Sequence, residues 1–207
     1  MGPAKGEKAE PRPWARVATI VAGTVVVSAA AIAGGLWIAG EDPETPNEED
    51  THSAAPSCEA IPEDALAEAL PGAALESVEH GPLQGGESSV CVWTTAGAID
   101  VDQGALRVDM SAHFTNESIE SGITGQEAAT RAYDALTPVR GEPVDLAGGA
   151  RAQVWRGQLP GTAELAFHTA NLLVRVSYTA EADGDPVPFD TARETVVDFA
   201  SHLEEDL

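Results

Sequence analysis

Twenty-four consecutive residues, Val17 to Gly40, carry no charged side chain, and only Thr19, Thr24 and Ser28 bear a hydroxyl. A helix of that length is about 36 Å long, enough to cross a hydrocarbon layer of about 30 Å with some tilt. The pattern predicts a transmembrane helix over 17–40. Along it Gly23, Val27, Ala31 and Gly35 recur every four residues. Small side chains at that spacing let two helices approach closely, so the stripe is a candidate surface for homo-oligomer formation.

Downstream, the hydrophobic period changes twice. Residues 41–56 (EDPETPNEEDTHSAAP) show no apolar period. A stretch this acidic and this poor in apolar side chains buries too little surface to offset its ordering, which predicts a disordered linker. From residue 57 onward the pattern predicts one folded domain, 57–207. Pro62, Glu63 and Asp64 open a short helix with Ile61, Leu66 and Leu70 on its buried side, closed by Pro71-Gly72. Strand-like runs follow at 74–79 and 88–95, joined by the turn-rich GPLQGGE, and then at 105–114. There Leu106, Val108, Met110, Ala112 and Phe114 alternate with Arg107, Asp109, Ser111 and His113, the period of a half-buried strand. Thr124 and Glu127 form a capping box before the helical spacing of Ala128, Ala129, Ala132, Tyr133 and Leu136. Further strands are expected at 152–156, 163–169 and 172–178. A two-residue turn at Ala170-Asn171 would set Phe167 opposite Val174 and Leu165 opposite Val176, with Glu164 diagonal to Arg175. A second capping box, Thr191 and Glu194, is expected to start a last helix buried through Ala192, Val196, Phe199, Ala200 and Leu203. The fold class that follows is α+β, an antiparallel sheet with packed helices, preceded by a single transmembrane helix.

Charge orients this arrangement. Lys5, Lys8, Arg12 and Arg16 precede the apolar run, and Glu41, Asp42 and Glu44 follow it. Basic flanks stay on the cytoplasmic side, so residues 1–16 are expected as a cytoplasmic tail and the domain as extracellular. Trp14 and Trp37 suit the two headgroup zones. The rival reading, a cleaved signal peptide, requires a shorter apolar core ending in a small-residue site. Ala29, Ala30 and Ala31 offer one only in mid-run, ahead of Ile32, Leu36, Trp37 and Ile38. A tail of sixteen residues is too short to fold, so any signal would pass through a partner.

The whole chain has a net charge of −23, and beyond Gly40 there are seven arginines and no lysine. Such a surface repels nucleic acid, which removes DNA and RNA from the partner classes. Cys58 and Cys91 both fall in the expected extracytoplasmic part, where disulfides persist. A bridge between them is expected, with Trp93 pointing to the same side as Cys91. Trp155 alternates with Val154 and would lie on the sheet face away from the aliphatic residues. Together with His168 and Arg175 it makes a possible partner surface.

Asp109, Ser111 and His113 are the residue types of a hydrolytic triad, but alternate residues on a strand are about 6.5 to 7 Å apart, whereas a serine and its base must come within about 3 Å. Asp183, Asp185 and Asp190 offer a fragment of a calcium loop without the ligand spacing of a full one. No metal site, cofactor or catalytic residue is expected.

The Cys58-Glu59-Ala60-Ile61 segment, the Ala/Leu helix after it and the Cys91-Val92-Trp93 strand resemble the opening of a family of actinobacterial cell-envelope lipoproteins of unknown function. The layout is similar, more loosely, to the extracellular sensor domains of mycobacterial receptor kinases. The chain departs from the first in having a retained span in place of a lipidated cysteine, and from the second in having no kinase. The resemblance implies an envelope location and supplies no catalytic residues. The expectation is thus a non-catalytic, single-pass, membrane-anchored binding or scaffold protein of the bacterial envelope, with an envelope protein as partner. The alternative is a small-molecule or lipid-binding domain, which needs an apolar cavity between sheet and helices; an envelope hydrolase comes last.

Overall fold

Period-two alternation from Leu106 to Ala112 places four fully buried side chains, Leu106, Val108, Met110 and Ala112, on one face of a strand, and the fold grows outward from it. The computed structural model describes residues 45–96, 102–116, 122–138 and 141–207. A 3-10 turn at Cys58–Ala60 and α1 (Glu63–Ala69) lead into β1 (Ala74–Leu83), β2 (Gly86–Thr94) and β3 (Gly104–His113). Then come α2 (Gly125–Leu136), β4 (Glu142–Asp145), β5 (Arg151–Arg156), β6 (Thr162–Thr169), β7 (Leu172–Ala182), the two-residue β8 (Asp185–Pro186) and α3 (Phe189–Asp206). The strands form one antiparallel sheet in the order β1-β2-β3-β7-β6-β5-β4, with β8 paired to β7. The α+β expectation holds at this level: an eight-stranded antiparallel sheet carrying three helices.

Directly opposed residues in an antiparallel sheet share a face. The register therefore sorts the side chains into two sets. The first face carries Cys91 and Trp93, then Leu106, Val108 and Met110, then Tyr178, Val176 and Val174, then Ala163, Leu165 and Phe167, then Ala152 and Val154. The amphipathic stripe of α3 covers it with Ala192, Val196, Phe199, Ala200 and Leu203, all buried as the spacing predicted. α1 adds Ala65 and Ala69, flanked by Ile61 and Leu70. The volume between α3 and the sheet is occupied by large side chains, Phe167, Phe199 and Leu165 among them, each at most 2% exposed.

α2 lies on the second face. Tyr133 meets His168 edge-on with ring centroids 5.3 Å apart, and buried Ala129, Ala166 and Leu173 stand apart from the main core cluster. Helices on both faces make three layers, where α1 and α3 alone would have made two.

Several local expectations are met. Thr124 and Glu127 form the capping box of α2 reciprocally. The β6–β7 hairpin turns at Ala170-Asn171 and pairs Phe167 with Val174 and Leu165 with Val176, and Arg175 Nη2 donates to Glu164 Oε2 at 2.6 Å. The Cys58–Cys91 disulfide is present, and Trp93 lies buried in the cluster that holds Cys91, Ile61 and Ala65.

Others are corrected. The capping box at Thr191 does not form: α3 starts at Phe189 behind Pro188, whose ring fixes φ at −56° just ahead of the helix. Thr191 is then already inside the helix, and its carbonyl accepts from Thr195 Oγ1. The β1–β2 connection is a tight turn at Gln84-Gly85, with Gly85 at φ 71°. Gly81 and Pro82, expected in the loop, belong to β1, which as an edge strand tolerates a proline without an N–H.

The largest difference concerns the linker. Residues 45–56 pack along the domain, with Ala55 only 5% exposed. Asp50 Oδ1 and Oδ2 accept from Thr115 Oγ1 and Thr115 N at 2.8 and 3.0 Å. Asn171 Oδ1 accepts from His52 N, and Asn171 Nδ2 donates to the carbonyls of His52 and His113. Glu87 Oε2 accepts from Ala55 N, and Ser89 Oγ donates to Pro56 O. Polar side chains from distant strands satisfy the backbone of a segment that has no apolar period of its own. The span expected over 17–40, including Gly23, Val27, Ala31 and Gly35, lies outside the described residues, as does the tail 1–16. Among the described residues no helix is long and apolar enough to cross a membrane.

Substitutions at the bridge and at Asn171 test this account. Replacing Cys58 and Cys91 by serine together is expected to lower unfolding stability by about 3 to 4 kcal/mol, the loop-closure contribution of a bridge of this span, read from urea midpoints of oxidised and variant protein. Asn171→Ala removes the partner of three partly buried backbone groups and is expected to lower stability by about 1 to 3 kcal/mol. It should also open residues 45–56 to limited proteolysis, whereas Asn171→Asp, which keeps the acceptor, falls between.

Candidate functional site

On the second face α2 covers the rows nearest the β6–β7 turn and leaves the rest of the sheet without a helix among the described residues. The register sets Val92, Arg107, Ser177, Glu164 and Trp155 side by side in one row. The next row holds Glu79, Val90, Asp109, Arg175, Ala166 and Gln153. The polar positions of β3, β5, β6 and β7 thus gather on one surface, the one that Trp155 was expected to reach.

Ion pairs order its middle. Arg107 Nε lies 3.1 and 2.9 Å from the two Asp109 oxygens and Nη2 lies 2.6 Å from Oδ1, a bidentate arrangement along one strand. Its hydrogen bonds to Asp109 raise the Arg107 pKa against the opposing effect of burial, with Glu79 adding a smaller push upward. Arg175 sits opposite Asp109 in register and bonds Glu164. Arginine forks and carboxylates at this spacing lock each other in place. Thr162 and Thr179 close the end of the surface with a hydroxyl–hydroxyl bond of 2.7 Å.

Of the expected partner residues, Trp155 and Arg175 are half-buried on this open part. His168, on the same face, is instead tucked under Tyr133 of α2. Asp109, Ser111 and His113 share the face as the alternation required, but Asp109 is engaged by Arg107 and His113 lies toward α2. Asp183 sits in the β7–β8 turn, where it takes φ 55° and its N–H donates to Asp102 Oδ1, Asp185 opens β8, and Asp190 sits in the first turn of α3. Among the described residues no group of three or more His, Cys, Asp or Glu side chains is placed to hold a metal ion.

Sequence reasoning missed the cluster at the other end of α2. Gly125 N donates to Thr115 Oγ1, which itself donates to Asp50. A Cβ on Gly125 would stand 2.3 Å from His113 O, so only glycine lets the helix start this close to β3. Two ring nitrogens on this face are enclosed: His113 Nε2 and His168 Nδ1 are shielded from water and have no hydrogen-bond partner among the described residues. Burial lowers the pKa of His113 and of His52, and of His168 against a smaller upward pull from Asp134.

Compared with protein-family models, curated proteins and solved structures, the chain matches none.

The histidines carry a pH dependence. A histidine whose folded pKa lies below its ordinary value near 6.5 binds its proton more readily when unfolded, so its contribution to stability is complete above that value and declines as pH falls through it. Melting temperature is expected to fall between about pH 6.5 and 5. His168→Asn should flatten part of that slope, measured by thermal denaturation of wild type and variant across the range.

Proposed function

We propose that this chain is a single-pass, membrane-anchored protein of the bacterial cell envelope whose extracytoplasmic domain binds or scaffolds an envelope protein without catalysing a reaction. The observation that carries the reading is the Cys58–Cys91 bridge, which joins the segment before α1 to a fully buried position at the heart of β2. A cystine built into a core suits an oxidising compartment outside the cytosol. The basic residues before Val17 and the acidic ones after Gly40 support the same side, and the resemblance of the Cys58 and Cys91 segments to actinobacterial envelope lipoproteins points to the same location. Binding is favoured over a ligand cavity by the packed volume under α3, filled by Phe167, Phe199 and Leu165, and by the polar, ion-paired surface around Trp155 that no described helix covers.

The topology is tested on intact spheroplasts. Externally added protease is expected to degrade the chain beyond Gly40, and trapped thiols should appear only after reduction. A domain left untouched on intact cells but digested after lysis, or a mature protein starting after Ala31, would overturn the topology. Crosslinking in native membranes is expected to recover a protein partner.

A further inference from the structure

The two edges of the sheet differ in kind. β4 has four residues and carries Pro143 between Glu142 and Val144, a short, proline-blunted edge of the type that resists further pairing. β1 has ten residues and carries its proline, Pro82, only near its far end; no described strand lies beyond it, and the seven residues Ala74 to His80 ahead of that end are exposed in succession. Two of the three exposed large hydrophobics of the described chain stand on it, Leu75 at 50% and Val78 at 56%.

A bulge decides where they point. The register slips between Leu75 and Ser77, so Leu75 opposes Trp93 and Val78 opposes Cys91. Without the extra residue Leu75 and Val78 would lie on opposite faces; with it both stand on the face of the core. The same face of β1 continues through His80 and Pro82 into a pocket of about 400 Å³ beside the end of the strand, lined by Pro46, Ser53, His80, Pro82, Glu87 and Phe114. Phe114 is buried, and His80 Nε2 meets Glu87 Oε1 at 2.9 Å on the lining. One flank therefore joins an open hydrogen-bonding edge, two exposed aliphatic side chains and an apolar pocket.

Its charge is of one sign. Glu76, Glu79 and Glu87 lie on β1 and β2, neither of which contains an arginine or lysine. A second copy of the chain would bring the same carboxylates to the same edge. From this combination we infer that β1 accepts an extended, basic polypeptide segment as an added strand, with an aliphatic side chain seated in the Phe114 pocket. The inference rests on the binding reading above and specifies the partner's chemistry. Main-chain bonds to the edge hold such a segment, alternate side chains pack on Leu75 and Val78, and lysine or arginine answers Glu76 and Glu79.

The test uses the full chain in nanodiscs with a twelve-residue peptide of alternating valine and lysine, and the glutamate counterpart as control, read by hydrogen exchange and fluorescence anisotropy. The lysine peptide is expected to slow exchange over Ala74–Leu83, to weaken with added salt, and to lose about tenfold in affinity to the Val78→Lys chain. That variant should melt as the wild type does, because Val78 is exposed. Equal binding of the glutamate peptide, or protection confined to other strands, would overturn the inference. So would an edge already protected without peptide, by a second copy if protection grows with concentration and by the chain's own residues if it does not. Crosslinked partners recovered equally with Val78→Lys would leave the scaffold reading standing and remove this one.

Discussion

The pairing of β3 with β7 is the constraint on which the rest of the molecule depends. It joins two meanders, β1 to β3 and β4 to β7, through nine register pairs from Gly104 opposite Ala180 to Ala112 opposite Leu172. Each meander alone would present an unpaired central edge and a hydrophobic face that no local element covers. Once joined, Leu106, Val108 and Met110 stand beside Tyr178, Val176 and Val174, and a continuous apolar floor exists for α3. The two strands are distant in sequence, so the chain-closure entropy is lost before these contacts form. The hairpin contacts within each meander can form first, and the central pairing makes them cooperative.

The same junction determines where the segment before Cys58 goes. The β6–β7 turn brings Asn171, 2% exposed, next to the end of β3. From there its side chain bridges His113, one strand over, and His52, 119 positions earlier in the chain. The residues before Cys58 are therefore held by the turn that the central pairing positions. Their acidic composition is compatible with this because Asp50 serves as an acceptor, for Thr115 and for the backbone of Asn47, in place of remaining a solvated charge.

What the sequence made legible was local: the period of β3, the capping box at Thr124, the register of the β6–β7 hairpin and the buried stripe of α3 each depend on residues a few positions apart. What it hid depended on distant partners. Residues 45–56 read as coil because no window of them shows apolar periodicity, while their hydrogen bonds come from β2, the end of β3 and the β6–β7 turn. Gly81 and Pro82 read as a loop because propensity does not distinguish an edge strand, where a missing N–H harms nothing, from a central one. The open second face was legible in part, since alternation put Trp155 opposite the aliphatic side chains. Which part α2 would cover was not: alternation alone puts His168 with Trp155 and Arg175, although a helix lies over it.

The distribution of the arginines explains how an acidic domain keeps a half-covered sheet in water. Arg107 and Arg175 neutralise Asp109 and Glu164 at the centre of the second face, Arg193 meets Glu142 at the β4 edge, and Arg156 stacks on Phe189 at the start of α3. Each of these four acts within the domain, and three of them pair with a carboxylate, so at the centre of the uncovered rows the charges compensate one another beside the half-buried Val90, Val92 and Trp155. Less compensation reaches β1 and β2, which contain no arginine or lysine and whose carboxylates flank Leu75 and Val78; of these only Glu79 interacts with an arginine, Arg107 of β3. The sheet's two uncovered regions are thus physically unlike: one is satisfied in itself, while the other combines unpaired backbone, exposed aliphatic side chains and unbalanced negative charge. A complementary chain resolves all three conditions at once.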